Sequence, residues 1–202
     1  MRLVALDLSL SATGWAIVEA NPAPHLSYGV IQSDKPRVGI DPSMARLYEI
    51  RRRVKLMTLG VAKPDRPQDV TEGPLTPPAD FVVMEGLAFG ANDPGAQERA
   101  GLAYIVRLLL WEANIPVLLV APATLKKYTC GSGNAKKELM LKEVFRRYSV
   151  DVNDNNIADA VALIKVGTAI IEIEPASTNE QREVLKKLRL GAPWLNKFAS
   201  QI

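Results

Sequence analysis

The chain has 202 residues, 48% of them hydrophobic, with 25 Lys and Arg against 22 Asp and Glu and a formal charge of +3. That length can bury one sizeable core, and the mildly basic balance permits a polyanionic partner without demanding one. A single cysteine, Cys130, excludes an internal disulfide framework and fits a reducing compartment, and a single histidine, His25, leaves little room for a His-rich metal centre or a Ser-His-Asp triad.

At the N-terminus Asp7 and Asp34 interrupt any leader-like apolar stretch, and no A-x-A site follows. No apolar run approaches the ~20 residues of a membrane span. A soluble, cytoplasmic protein is the expectation.

Residues 2–8 and 14–19 are apolar and β-branched, with the turn-forming "SLSATG" between them, and predict two strands. Residues 26–33 predict a third, so the chain should open as an antiparallel meander. Over 43–60 the apolar groups Met44, Leu47, Ile50, Val54 and Met57 fall at helical spacing, with Arg51, Arg52 and Arg53 mostly on the solvent side. Residues 61–79 carry five prolines and no period, which predicts a loop. A short buried strand over 80–85 ends in Glu85. A long helix follows over 95–113, then a buried strand over 116–121. "PATLKKYTCGSGN" predicts a Pro-initiated helical turn and a Gly-rich loop, followed by a basic helix over 135–148. After a polar cap, residues 156–171 form a helix apolar nearly all round, which must be covered. The tail over 176–190 predicts one more amphipathic helix, with Ser177, Thr178 and Asn179 as candidate caps. This order is α/β with a mixed sheet. Trp111 and Trp194 are expected to pack and receive no function.

Three carboxylates stand where a charge is costly: Asp7 in the first strand, Glu85 closing the fourth, and Asp159 one turn into the apolar helix. Singly each has an ordinary explanation: a turn former, a solvated strand end, a first-turn acid favoured by the helix dipole. Together they suggest an oxygen-rich site for Mg²⁺ or Mn²⁺, whose charge offsets their repulsion. Two such ions roughly 3.5–4 Å apart clamp both oxygens of a phosphodiester displacement.

The segments "ALDLSLSATGWAIV", "VVMEGLAFGAN", "APATLKKYTCGSGNAKKELM" and "DNNIADAVAL" resemble, in order, the four motif blocks of the RuvC-type Holliday-junction resolvases, over roughly residues 1–170. The resemblance implies a ribonuclease H-like fold with a mixed five-stranded sheet: an antiparallel three-strand meander plus two parallel strands, flanked by helices. It implies a homodimer that nicks four-way DNA junctions using Mg²⁺ or Mn²⁺. On this reading Asp7, Glu85 and Asp159 match three of four metal-binding acids. The fourth falls on Asn156, a departure that leaves a carbonyl oxygen but one charge fewer; Asp154 is the alternative donor. Lys126 and Lys137 match the functional lysines, Lys137 beside the scissile phosphate. The stacking aromatic falls on Ala88, with Phe89 next to it. The extra length suggests a phage-type relative acting in a bacterial host, with a nuclease domain over 1–171 and a C-terminal helical extension over 172–202.

Basic residues concentrate between Lys126 and Arg147. Lys126, Lys127, Lys136, Lys142 and Arg146 are the expected DNA contacts. The loop Gly131-Ser132-Gly133 opens onto a helix N-terminus, where backbone N–H groups favour phosphate. The run Arg51 to Arg53 is read as a solvated helix face. The helix over 95–113, with small residues at its start, is the expected dimer helix. Competing readings are a less selective ribonuclease H-like nuclease, a non-catalytic DNA-binding module, and an ATP-binding protein of the actin and sugar-kinase type. The last requires a duplicated domain that this sequence does not contain.

Overall fold

The structure, a computed structural model, describes residues 1–20, 23–33, 41–60, 76–87 and 95–199. Five strands form one sheet: β1 (Arg2–Asp7), β2 (Ala12–Ala20), β3 (Pro24–Gln32), β4 (Phe81–Glu85) and β5 (Val117–Val120). Their order is β3-β2-β1-β4-β5. β1 pairs antiparallel with β2, and β2 with β3, while β4 runs parallel to both β1 and β5. This is the expected meander with two parallel strands added at its central edge.

β1 is buried along its whole length because it is central and covered on both faces. Alternation then sorts its side chains. Val4 and Leu6 enter a core roofed by α1 (Pro42–Leu59) and α2 (Ala96–Glu112). Leu3 and Ala5 enter the opposite core, with α3 (Pro122–Cys130), α4 (Lys137–Tyr148), α5 (Asn155–Ile170) and α6 (Asn179–Gly191).

α5 is the central helix of that second layer. Eleven of its residues, from Ala158 to Ile170, are buried. Two glycines let it lie close to the sheet. A Cβ on Gly14 of β2 would stand 1.9 Å from the Asn156 carbonyl oxygen, and one on Gly167 of α5 would stand 2.8 Å from Val83 Cγ2. Asp154 caps the helix, its Oδ1 accepting from the backbone N–H groups of Asn156 and Ile157.

Several expectations need correction. The Pro122 segment is not a single turn but a nine-residue helix. β3 begins two residues before the expected start. The tail is tied into the fold. Thr178 and Gln181 form a reciprocal capping box at the start of α6. Val184, Leu185, Ala192 and Leu195 join the α5-side core. Trp194 and Phe198 stack on Phe81 of β4 with ring centroids 5.7 and 5.3 Å away. Trp194 packs as expected, but Trp111 does not: it is 75% exposed on α2. Among the described residues no helix is long and apolar enough to cross a membrane.

Candidate active site

Register and period bring the first two carboxylates together. Asp7 follows Leu3 and Ala5 on the α5 side of β1. Glu85 follows Phe81 and Val83 on the same side of β4. The parallel pairing Leu3↔Phe81 to Leu6↔Met84 sets the two acids level, one step further along. Their carboxyl groups are close enough for the charge of Glu85 to raise the Asp7 pKa. Two carboxylates brought this close repel each other, which favours the protonated form of the pair.

The third acid arrives from above. Asp7 pairs with Gly14 across β1 and β2, and the bare Gly14 backbone seats the first turn of α5. That turn carries Asn156 and, three residues on, Asp159. All three acids lose solvent, which disfavours their charged forms. Burial, then the fields of Glu85 and Asp159, push the Asp7 carboxyl well above the usual range. Burial, then Asp159, pushes Glu85 up to about 7. Burial pushes Asp159 up to about 6, against the pull of Lys126 and Lys137.

Two cations answer this charge. Lys126 of α3 lowers the pKa of both Glu85 and Asp159, and Lys137 at the start of α4 lowers those of Asp7 and Asp159. The Gly-rich loop between the helices lets both lysines reach one site. Gly131 ends α3 in the left-handed region at φ 81°. A Cβ on Gly133 would press to 3.0 Å from the Ala123 carbonyl oxygen.

The other expected residues divide. Lys136, Lys142 and Arg146 lie on the exposed side of α4. Lys127 is turned away from the acids, its Nζ 2.8 Å from Glu183 of α6. Arg52 and Arg53 pair with Glu49 on their own helix, as a solvated face would. Phe89 and Ala88 lie outside the described residues.

Asp154 spends one carboxylate oxygen on the α5 cap, whereas Asn156 points no side-chain atom at a protein partner among the described residues. Among those residues no group of three His, Cys, Asp or Glu side chains is arranged to hold a metal ion. The closed part is the Asp7–Glu85 pair, with Asp159 within Coulombic reach. In chemistry the set fits a hard divalent cation: only oxygen donors, whose burial and mutual repulsion disfavour their charged forms until a cation offsets them.

One feature of the surface was missed at the sequence level. Tyr104, Leu108 and Trp111 of α2 are 60, 55 and 75% exposed, and Leu119 of the edge strand β5 is 40% exposed beside them. Their i, i+4, i+7 spacing was the available signal. It is the second stripe on a helix whose buried stripe is Leu102, Ala103, Val106 and Leu110.

No family model and no curated protein sequence matches the chain. Solved structures do. Thermus thermophilus RuvC superposes with a TM-score of 0.55 at 22% identity, over 81% of this chain and 90% of its own. T. thermophilus RuvC in complex with Holliday junction substrate gives 0.55 at 19% identity, over 81% and 89%. The fowlpox virus resolvase in complex with Holliday junction DNA is more distant, with a TM-score of 0.47 at 14% identity, over 81% and 93%. The sheet order, the two helical layers and the two RuvC superpositions together give the chain the ribonuclease H-like fold of the RuvC-type resolvases.

Proposed function

We propose that this chain is a divalent-metal-dependent endonuclease that hydrolyses phosphodiester bonds in branched DNA, with the four-way junction as its principal substrate. One observation carries the reading: Asp7 and Glu85 stand level at one end of the parallel β1–β4 pair, both feel the charge of Asp159 on α5, and Lys126 and Lys137 draw the acid pKa values back down. Asp7 and Glu85 would hold the ion, with Asp159 and the Asn156 side-chain oxygen completing its donors. A bound Mg²⁺ or Mn²⁺ supplies Lewis acidity and a more acidic water. The chain does the rest. Asp7 and Glu85, whose burial favours their protonated forms, would have to ionise to hold the ion. Lys137 and Lys126 place compact positive charge where negative charge builds during phosphoryl transfer. Lys136, Lys142 and Arg146 sit where flanking phosphates would pass.

The same reading makes the enzyme a homodimer through the exposed face of α2. Tyr104, Leu108 and Trp111 of α2, with the neighbouring Leu119 of β5, form an exposed apolar patch. A two-fold axis there gives two sites for the two strands of one junction.

The test is cleavage of four-way junction, flap and linear duplex DNA of matched sequence in Mg²⁺ or Mn²⁺. Junction nicking is expected, and Asp7→Asn should remove it while leaving binding. Equal cutting of all three substrates favours the less selective nuclease. Binding without cutting in either metal favours the DNA-binding module, a reading that draws on Asn156 standing in place of an acid.

A further inference from the structure

We propose that the groove between the end of α5 and α6 is a docking site for a partner protein, taking a short acidic segment with an apolar residue at its centre. The inference is independent of the nuclease reading above. The groove has a volume of about 720 Å³, within the ~300–1,000 Å³ that ligand sites occupy. Ala169 on its wall lies ten residues along α5 from Asp159, about 15 Å at ~1.5 Å each. The groove is therefore no extension of the acid cluster. Its lining is partly apolar: Ala169, Pro175, Ala176 and Leu185, with Leu190 at 77% exposure.

The charges decide what can lie there. Two acids line the groove, and both are engaged. Glu172 Oε1 accepts from Arg189 Nη2 at 2.8 Å. Glu174 uses both oxygens, one accepting from Lys165 Nζ at 2.6 Å and the other from Thr168 Oγ1 at 3.0 Å. Two cations line it without an acid. Arg182 donates to neutral oxygens, the Ala176 carbonyl and the Asn179 side chain. Lys186 has no side-chain partner among the described residues. The two stand four residues apart, so they are neighbours on one side of α6. The groove thus offers two unneutralised cations beside an apolar surface.

An anion with an apolar body satisfies both features, its carboxylates on Arg182 and Lys186 and its side chain against Leu185 and Leu190. A nucleic-acid backbone suits the groove poorly. Its phosphates repeat along the strand, and a run of them would meet Glu172 and Glu174 beyond the two cations. A peptide places its charges singly. The wall is also held in shape. Arg189 ties α6 to the Ile170 carbonyl at 2.8 Å. Glu172 keeps a left-handed φ of 68°, which a non-glycine residue holds only where its surroundings fix it. A preformed wall spares part of the ordering cost of binding.

The experiment titrates the full chain, free of DNA and metal, into a set of fluorescein-labelled peptides of about eight residues. Each carries a central Leu or Phe between Asp and Glu residues. Anisotropy should show one site tighter than about 100 µM for at least one of them. Replacing its acids by Lys, or its central residue by Ser, should each weaken binding about ten-fold. On the protein, Lys186→Glu and Leu190→Ser should do the same at an unchanged melting temperature, since both side chains are exposed. Lys142→Glu on α4 is the control and should bind the acidic peptide as wild type does. The proposal is overturned if no peptide of the set reaches that affinity, or if the Lys- or Ser-substituted peptide binds equally well. Wild-type affinity in Lys186→Glu overturns it too, as does an equal loss in Lys142→Glu, which would place the peptide on the basic helix. If Lys186→Glu weakens binding of labelled duplex DNA and leaves the peptide unaffected, the groove belongs to nucleic acid and the proposal falls. Absence of DNA cleavage by the wild-type chain would remove the nuclease reading and leave this one standing.

Discussion

Glu85 and Asp159 keep their protons to higher pH when folded than when unfolded, and this has a measurable sign. The folded state binds protons more tightly, so stability is greatest below the unfolded carboxyl range and is lost as pH rises through the folded values. Those values are about 7 for Glu85 and about 6 for Asp159. The melting temperature of metal-free protein should fall between about pH 4.5 and 7.5, with Glu85 alone worth about 3 kcal/mol. Mg²⁺ should recover much of that loss at pH 7.5, and Glu85→Gln should flatten the curve. Calorimetry across this range checks it; a metal-free curve that rises through the window would contradict the site. The lysines divide by role on the same scale. Lys137→Ala should slow single-turnover cutting roughly 100-fold at near-normal junction affinity, by analogy with a lost oxyanion donor. Lys142→Ala should weaken binding and lower the salt slope by about one with little change in rate. If both variants lose affinity and neither loses rate, Lys137 is a phosphate anchor only. Asp7, Glu85, Asp159 and both lysines were all legible as residues. What alternation along a single strand did not give is that Asp7 and Glu85 are level, because that depends on the β1–β4 register.

At the scale of the element, the site depends on how closely α5 rests on β2. The Asn156 carbonyl fills the space a Gly14 side chain would need. Gly14→Ala must push the first turn of α5 off the sheet, since backbone rather than a flexible side chain is in the way. A loss of roughly 2–4 kcal/mol is expected, comparable to severe core overpacking, together with loss of cleavage. Thermal unfolding and cleavage of the same sample check it. A variant that melts and cuts normally would show that α5 has room to spare. In the sequence, "SATG" carried only a turn signal. Most elements were legible because their periods were clean: the all-apolar α5, the β-branched β1 and β2, the capped α6. The α3 helix was shortened to a turn because its nine residues carry one buried stripe of Leu125, Tyr128 and Thr129, too brief to display a period.

Over the whole molecule the tail and the α2 face have opposite fates. Trp194 meets Phe81 edge-on at 5.7 Å, and Phe198 meets the same ring at 5.3 Å. Trp194→Ala should cost roughly 2–3 kcal/mol, below the 3–5 of a fully buried ring, because the indole is only partly buried. Denaturant unfolding should show this as a single shifted transition; an unchanged midpoint would mean that the tail contributes nothing to the core. Trp111 is the counterpart left in solvent. Trp111→Glu should convert a dimer to a monomer in sedimentation without lowering the melting temperature of the monomer. A wild-type chain that sediments as a monomer at tens of micromolar would remove the dimer from the proposed function.

By itself the sequence determined the α/β order of elements, the identity of the acids and lysines, and the concentration of basic charge beside the Gly-rich loop. These are local properties, carried by residue type and by periods of two and 3.6. Only the tertiary structure decided which Trp is covered, that Lys127 is paired with Glu183, and that α6 and the Trp194 turn join the core. It also decided that two acids stand level on neighbouring strands while the third reaches them from a helix. Each of these depends on groups far apart in the chain, and no local pattern encodes which distant surface will remove a side chain from water.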